Sequence, residues 1–221
     1  MVNERRERSE PSFGTADLHI HTAASDGLPS VEALLAYVEE HTSLDVIAIT
    51  DHDGVAGALA ARELAARRGY RFEVVVGTEV TTREGHLLAL FVERPLRRHQ
   101  SLEETVEAIH RQGGLCVVPH PLSWLVHGVQ ERALDRLFQG PPEVRPDAIE
   151  LTRANFMAAM TEARARALNA ARYHMAETGG SDAHFLTMVG CGLTRFPGRT
   201  ADDLRRAIVE RTTSAVTQAQ F

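Results

Sequence analysis

Residues 16–27 read Ala-Asp-Leu-His-Ile-His-Thr-Ala-Ala-Ser-Asp-Gly. A strand-like apolar alternation runs into two imidazoles, His19 and His21, and then into a Ser-Asp-Gly turn that carries Asp26. Side chains two apart on an extended strand point the same way, so both imidazoles share one face. The same design recurs along the chain. Residues 45–54, Asp-Val-Ile-Ala-Ile-Thr-Asp-His-Asp-Gly, end an apolar run on His52, and residues 74–80 place Glu79 just past a glycine. His86 opens a fourth run behind Gly85, Val-Val-Pro-His-Pro ends a fifth on His120, and Gly-Gly-Ser-Asp-Ala-His sets Asp182 and His184 two apart.

Apolar runs predict strands near 16–21, 45–50, 72–76, 86–91, 115–118 and 147–151, with a weaker one before Ser181. Helical patterns lie between or after them, at 31–41, 55–68, 102–111, 131–138, 157–175 and 201–210. Ser101 with Glu104 three residues on has capping-box spacing. Such alternation argues a mostly parallel sheet with helices packed outside it. An open doubly wound sheet would gather its chemistry in one crevice, whereas here polar residues end nearly every strand, as in a closed barrel. A closed barrel usually needs about 200 residues or more, so seven strands suit this length better than eight. The expected fold is α/β: a single-domain, distorted, TIM-like (β/α)7 barrel over residues 15–221, preceded by a flexible segment, 1–14.

Composition removes several mechanisms. All 24 basic residues are arginine. Without lysine there is no Schiff-base enzyme, no Walker-type loop, no kinase strand lysine and no Ser-Lys hydrolase. A formal charge of −6 announces no large nucleic-acid-binding face. The charged start is read as frayed and not as a signal peptide, and no run approaches membrane-span length. Cys116 and Cys191 form no CxxC pair; Cys116 reads as a core hydrophobe, and cysteine usage suits a reducing cytosol, hence a cytoplasmic protein. Oligomeric state is not legible.

Histidine is in surplus, with 11 residues. Imidazoles and carboxylates buried at strand ends are costly unless paired or bound to metal. The set His19, His21, Asp26, His52, Glu79, His86, His120, Asp182 and His184 suits zinc, manganese or iron, and lacks thiolates. Other polar residues read more blandly. Arg153 is first a surface or salt-bridge residue and second a phosphate ligand. Trp124 is first a packing residue and second a stacking surface for a base or sugar. Glu150 divides evenly between pocket lining and core pairing, His127 reads as a solvated loop histidine, and His41, His99, His110 and His174 read as structural.

The ordered series DLHIHTAASDG, ITDHDG, GTE, GH, HP and GSDAH resembles the motifs of the polymerase and histidinol phosphatase (PHP) family over about residues 16–196. The resemblance implies a distorted seven-stranded barrel with two or three divalent metals at its C-terminal face, and phosphate-ester hydrolysis. By that resemblance His19, His21, Glu79 and Asp182 hold one ion. Glu79 bridges to a second, completed by His86 and His120, and Asp26, His52 and His184 hold a third. Glu79, Asp182 and His184 are the residues taken as catalytic. Aspartate at position 26 is similar to the branch acting on nucleoside bisphosphates and oligonucleotide ends. Members of that branch carry a long insertion, where this chain has 40 residues between Glu79 and His120.

Charge favours a phosphate independently. Asp26, Glu79 and Asp182 carry −3 and three divalent ions +6, so such a centre attracts a dianion. Bound metals lower a water pKa from 15.7 to about 7, so ions held by this set would supply a metal-bridged hydroxide as the expected nucleophile for phosphorus. The implied substrate is a small phosphomonoester or a terminal phosphate of a nucleotide or oligonucleotide. Two alternatives stay open at this point: an amidohydrolase-like C–N bond hydrolase, and a non-catalytic metal-binding partner module.

Overall fold

The computed structural model describes residues 12–152 and 156–217. Its strands are β1 (Phe13–Ile20), β2 (Val46–Ile49), β3 (Glu73–Thr81), β4 (His86–Leu90), β5 (Leu115–Val118), β6 (Ala148–Glu150), β7 (Ala176–Thr178), β8 (Gly192–Pro197) and β9 (Ser214–Thr217). Its α-helices are α1 (Val31–His41), α2 (Ala56–Arg68), α3 (Leu102–Arg111), α4 (Glu131–Gln139), α5 (Phe156–Leu168) and α6 (Ala201–Glu210). One sheet contains all these strands in the order β7-β6-β5-β4-β3-β2-β1-β8-β9.

The sheet curls into a nearly closed barrel. Its open seam is bridged by side chains: the Gly179 N–H donates to Thr194 Oγ1 at 2.8 Å, and that hydroxyl lies 2.9 Å from the Gly179 carbonyl. The α/β barrel class agrees with the sequence reading, but the strand complement differs. Strands β8 and β9 were not anticipated, and β1–β8, β3–β4, β4–β5 and β8–β9 pair antiparallel. Of the segment expected to be flexible, residues 1–11 lie outside the described residues, and β1 already begins at Phe13.

Alternate strand residues face two cores. Ile47, Val76, Ala89 and Val118 pack with apolar residues of α1–α4. Ala16, Leu18, Val46, Ala48, Val75, Leu88, Val117 and Ala148 fill the interior with Leu204, Ala207 and Ile208 of α6. Helix α6 closes the N-terminal end of the strands: the Ala201 N–H reaches Glu73 Oε2, the first residue of β3, at 2.7 Å.

Local sequence explains the helix starts. Ser30 accepts from the Ala33 N–H, and full capping boxes, Ser101/Glu104 and Thr200/Asp203, open α3 and α6. Helix α2 stops at Gly69, whose φ of 65° is the left-handed conformation glycine adopts at no steric cost.

Candidate metal centre

An irregularity in β1 decides where the first two histidines point. Pairing of β1 with β2 shifts register between Asp17 and Ile20. Ala16 and Leu18 lie in the interior core before the shift, while Ile20 joins the outer one after it. His19 and His21 are thereby turned into the barrel, an established use of strand irregularities beside active sites. Glu79 and His86 share the inward faces of β3 and β4. His52 follows β2 and bridges to Glu79, and His120 follows β5. Asp182 and His184 are carried by the segment after β7, which hydrogen-bonds to the end of β1 through His21 N–Ala183 O at 2.9 Å and Ala183 N–His19 O at 3.2 Å.

The nine expected side chains converge. His19 Nε2 lies 3.1 Å from Glu79 Oε2 and 3.4 Å from Asp182 Oδ1, and His21 Nε2 lies 3.2 and 3.3 Å from the same two oxygens. His86 Nδ1 and His120 Nε2 meet Glu79 Oε1 at 2.9 and 3.0 Å. Asp26 Oδ2 is 3.2 Å from His184 Nε2, and Asp26 Oδ1 is 3.4 Å from His21 Nδ1. His52 sits between groups, with Nε2 3.6 Å from both Glu79 Oε2 and Asp26 Oδ2. Three sets have ligand atoms close enough to share an ion: His19, His21, Glu79, Asp182; His52, Glu79, His86; and His21, Asp26, His184. The first matches the expected set. In the other two, His52 stands with Glu79 and His86, and His21 turns its second nitrogen toward Asp26.

The donor set fits metal on a test internal to the structure. Both ring nitrogens of His21, and Nδ1 of His52 and His120, are buried without a hydrogen-bond partner. Buried polar atoms in native folds are almost always satisfied, so a cluster of orphans marks a place where something else binds. Electrostatics agree. Burial alone would raise Glu79 and Asp182, yet the neighbouring histidines hold both carboxyls well below their usual range. Burial alone would depress the imidazoles, but Asp182 and Glu79 drive His19 well upward and His21 to about 9. Opposite charge outweighs desolvation in each case. His52, less enclosed by carboxylates, is lowered by its burial.

Backbone strain gathers here too. Asp53, His120, Leu122, His127 and Asp182 have φ between 29° and 64°. Left-handed backbone is uncommon outside glycine and clusters where surrounding structure enforces a functional geometry. The resulting cavity of about 290 Å³ is lined by Asp26, His52, Glu79, His86, His120, Asp182 and His184, together with Leu125, Val126 and His127. A larger cavity of about 560 Å³ lies among α2, β3 and the start of α6; its Arg62 and Glu93 pair with each other, and it holds no imidazole.

Some readings change. His127 is an exposed loop histidine, as read, and it also lines the cavity: its ring stands 5.1 Å from that of His86, and its carbonyl accepts from the His86 N–H. Its His-Gly pair seven residues after His120 was the available signal. Trp124 is 73% exposed, so it fills no core. Arg153 falls outside the described residues. Glu150 is core-paired, its Oε2 3.0 Å from His19 Nδ1. Asp17 passed unnoticed in sequence. It is fully buried, accepts from the backbone of His19, Ser181 and Gly190, and is pushed by burial up to about 6. That carboxyl ties the Asp182 segment to β1.

Fold and site together define a metal-dependent phosphoesterase of barrel architecture. The chain belongs to the PHP family: the PHP domain model matches residues 17–172, and the PHP-associated model matches 161–213. It is 35% identical over 131 residues to the uncharacterized protein MJ1587 of Methanocaldococcus jannaschii, covering 54% of this chain and 75% of that one. It is 40% identical over 81 residues to the 5'-3' exoribonuclease Rnm of Salmonella typhimurium, covering 35% of this chain and only 27% of that enzyme. Its fold resembles a two-domain protein of Bacteroides vulgatus containing a predicted PHP-like metal-dependent phosphoesterase. The TM-score is 0.70 at 20% identity, covering 94% of this chain and 66% of the other. At that identity the likeness speaks for fold alone. No helix among the described residues is long and apolar enough to cross a membrane.

Proposed function

We propose that the chain hydrolyses a small phosphomonoester, or the terminal phosphate of a nucleotide or oligonucleotide, at two or three divalent ions of the manganese, zinc or iron kind. The observation that carries this reading is His21, deeply buried with neither ring nitrogen hydrogen-bonded and with carboxylates on both sides. Such an imidazole is a ligand waiting for cations. His19, His21, Glu79 and Asp182 would hold one ion. Glu79 would be shared with a second, held with His86 and His120 or His52, and Asp26 and His184 would serve a third. When bound, divalent ions supply Lewis-acid chemistry: they neutralise charge developing on phosphoryl oxygens and make a nucleophile available at neutral pH.

The protein's own residues do the rest. Glu79, buried and offering one oxygen to each neighbouring group, fixes the spacing of the cluster. Asp182, held ionised, keeps the same geometry on the opposite wall. His184, partly exposed at the rim beside Asp26, would complete the ligand set on the solvent side. Among the described residues no arginine lines this cavity, so within them the positive charge for a phosphate would come from cations. The cavity is at the lower end of the usual ligand-site range of about 300–1,000 Å³, which favours a compact ester over a long polymer threaded through the site.

The test is a substrate panel with added manganese: p-nitrophenyl phosphate, bis-p-nitrophenyl phosphate, a 5'-nucleotide and simple amides. Monoester turnover exceeding diester and amide turnover supports the proposal. Amide turnover without ester turnover overturns it.

A further inference from the structure

We infer that Glu150 is a positioning residue of the metal centre, holding the Nδ1–H of His19 so that Nε2 is presented to the ion shared with His21, Glu79 and Asp182. The inference rests on the metal reading above and adds a residue outside the ligand set.

Glu150 ends β6 on the same inward face as Ala148, an interior core residue. Its register partner on β7 is Thr178, directly before the Gly179-Gly180 pair. Gly180 makes the contact possible: a Cβ there would lie 2.6 Å from Glu150 Oε2 and 2.5 Å from the His19 Cβ. With that space open, Glu150 Oε2 reaches His19 Nδ1 at 3.0 Å across the barrel, both side chains being almost wholly buried. With the carboxylate as the acceptor of this hydrogen bond, its proton sits on Nδ1. The opposite nitrogen is then the one aimed at Glu79 and Asp182.

His21 supplies the contrast. It shares the same two carboxylates but has no hydrogen-bonded partner on either nitrogen. Of the two strand histidines, therefore, only His19 has a hydrogen bond to a carboxylate outside the ligand set. Glu150 does not line the cavity, so it acts through His19 and not on substrate. Carboxylates that orient a ligating histidine in this way sharpen metal affinity by fixing tautomer and ring plane.

The experiment titrates zinc alone into the metal-free full chain by calorimetry, for wild type, Glu150→Leu and Glu150→Gln. A long-range ¹H–¹⁵N spectrum of the histidine rings in the zinc-loaded protein accompanies it. Leucine should weaken the tightest zinc site by about 10–100-fold. Glutamine, whose amide oxygen still accepts from Nδ1–H, should recover most of that loss. In wild type, His19 should show a protonated Nδ1 and a metal-bound Nε2. Unchanged zinc affinity in both variants, even with lowered melting temperature, overturns the inference and leaves the metal reading standing. Should Glu150→Leu not fold, the wild-type spectrum and Glu150→Gln still decide: His19 bound through Nδ1 overturns it. A wild-type chain that takes up no zinc overturns the metal reading itself.

Discussion

The two ends of the barrel treat histidine in opposite ways. At the N-terminal end, His110 of α3 has both ring nitrogens answered, Nε2 by Asp147 Oδ2 at 2.9 Å and Nδ1 by the Glu143 carbonyl at 3.0 Å. Asp147 is answered in turn, accepting from the Cys116 N–H at 2.7 Å. At the C-terminal mouth, His21 is more deeply buried and its nitrogens are orphaned. The first network closes on itself and serves stability. The second is complete only with cations present, so its cost is borne by the fold for the sake of chemistry.

The largest break in this comparison comes from removing a ligand. Asp182→Asn or His19→Ala should reduce ester hydrolysis by roughly 10³-fold or more, since metal Lewis acidity supplies several kcal/mol and each 1.36 kcal/mol is tenfold. Initial-rate assays with metal content measured in parallel check this, and full activity with the metal lost contradicts it.

Next in size is the effect of metal on stability. Manganese at about 100 times its Kd should add about 2.7 kcal/mol to the unfolding free energy. His21→Ala should lose that increment and His110→Ala should keep it, as read by urea denaturation with and without the ion. Equal increments in both variants would erase the distinction between the ends.

A pH profile sharpens the contrast. In chelator, His21 titrates at about 9 against an ordinary 6.5, pulled up by Asp182 and Glu79. A raised pKa means that its stabilising contribution is complete below pH 6.5 and disappears as pH climbs through 9. The urea midpoint of the chelated protein should therefore fall across that window. Added manganese should reverse the trend, because imidazoles bind metal only when neutral. A flat chelated profile would remove His21 from the account.

The smallest effect belongs to the closed end. His110→Ala should cost about 1 kcal/mol, since its partly exposed pair with Asp147 is screened and Asp147 keeps its backbone donor. Denaturant midpoints without metal measure it, and no loss of zinc or manganese affinity should accompany it.

Sequence legibility divides along the same line. Short apolar runs such as Val46–Ile49 and Leu115–Val118 announce themselves, and Ser101/Glu104 announces α3, because these signals are local. Strand β3 runs on past Gly77, where an expected boundary stood, because that glycine pairs with Leu90 at close approach: a Cβ there would meet the Ala89 carbonyl oxygen at 2.9 Å. The helix expected over 157–175 ends its α portion at Leu168 and continues as a wider turn, Asn169–Tyr173. There the Asn169 side chain bonds both the N–H and the carbonyl of Met175. Edge strand β9 is short and mostly exposed, with no apolar periodicity to reveal it.

At the site, the motif residues were legible because short motifs set them near strand ends, as His120 just past β5 and His86 at the start of β4. Glu150 was left undecided, since its contact with His19 spans the barrel and no local pattern encodes it, while the His-Gly pair at 127–128 was the one local hint for His127.

One measurement reaches the central claim most directly: equilibrium dialysis of the chelator-stripped chain against manganese and zinc, with bound metal counted per chain. The account predicts two or three ions, falling in Asp182→Asn and unchanged in His110→Ala. A wild-type chain that binds neither ion would contradict it.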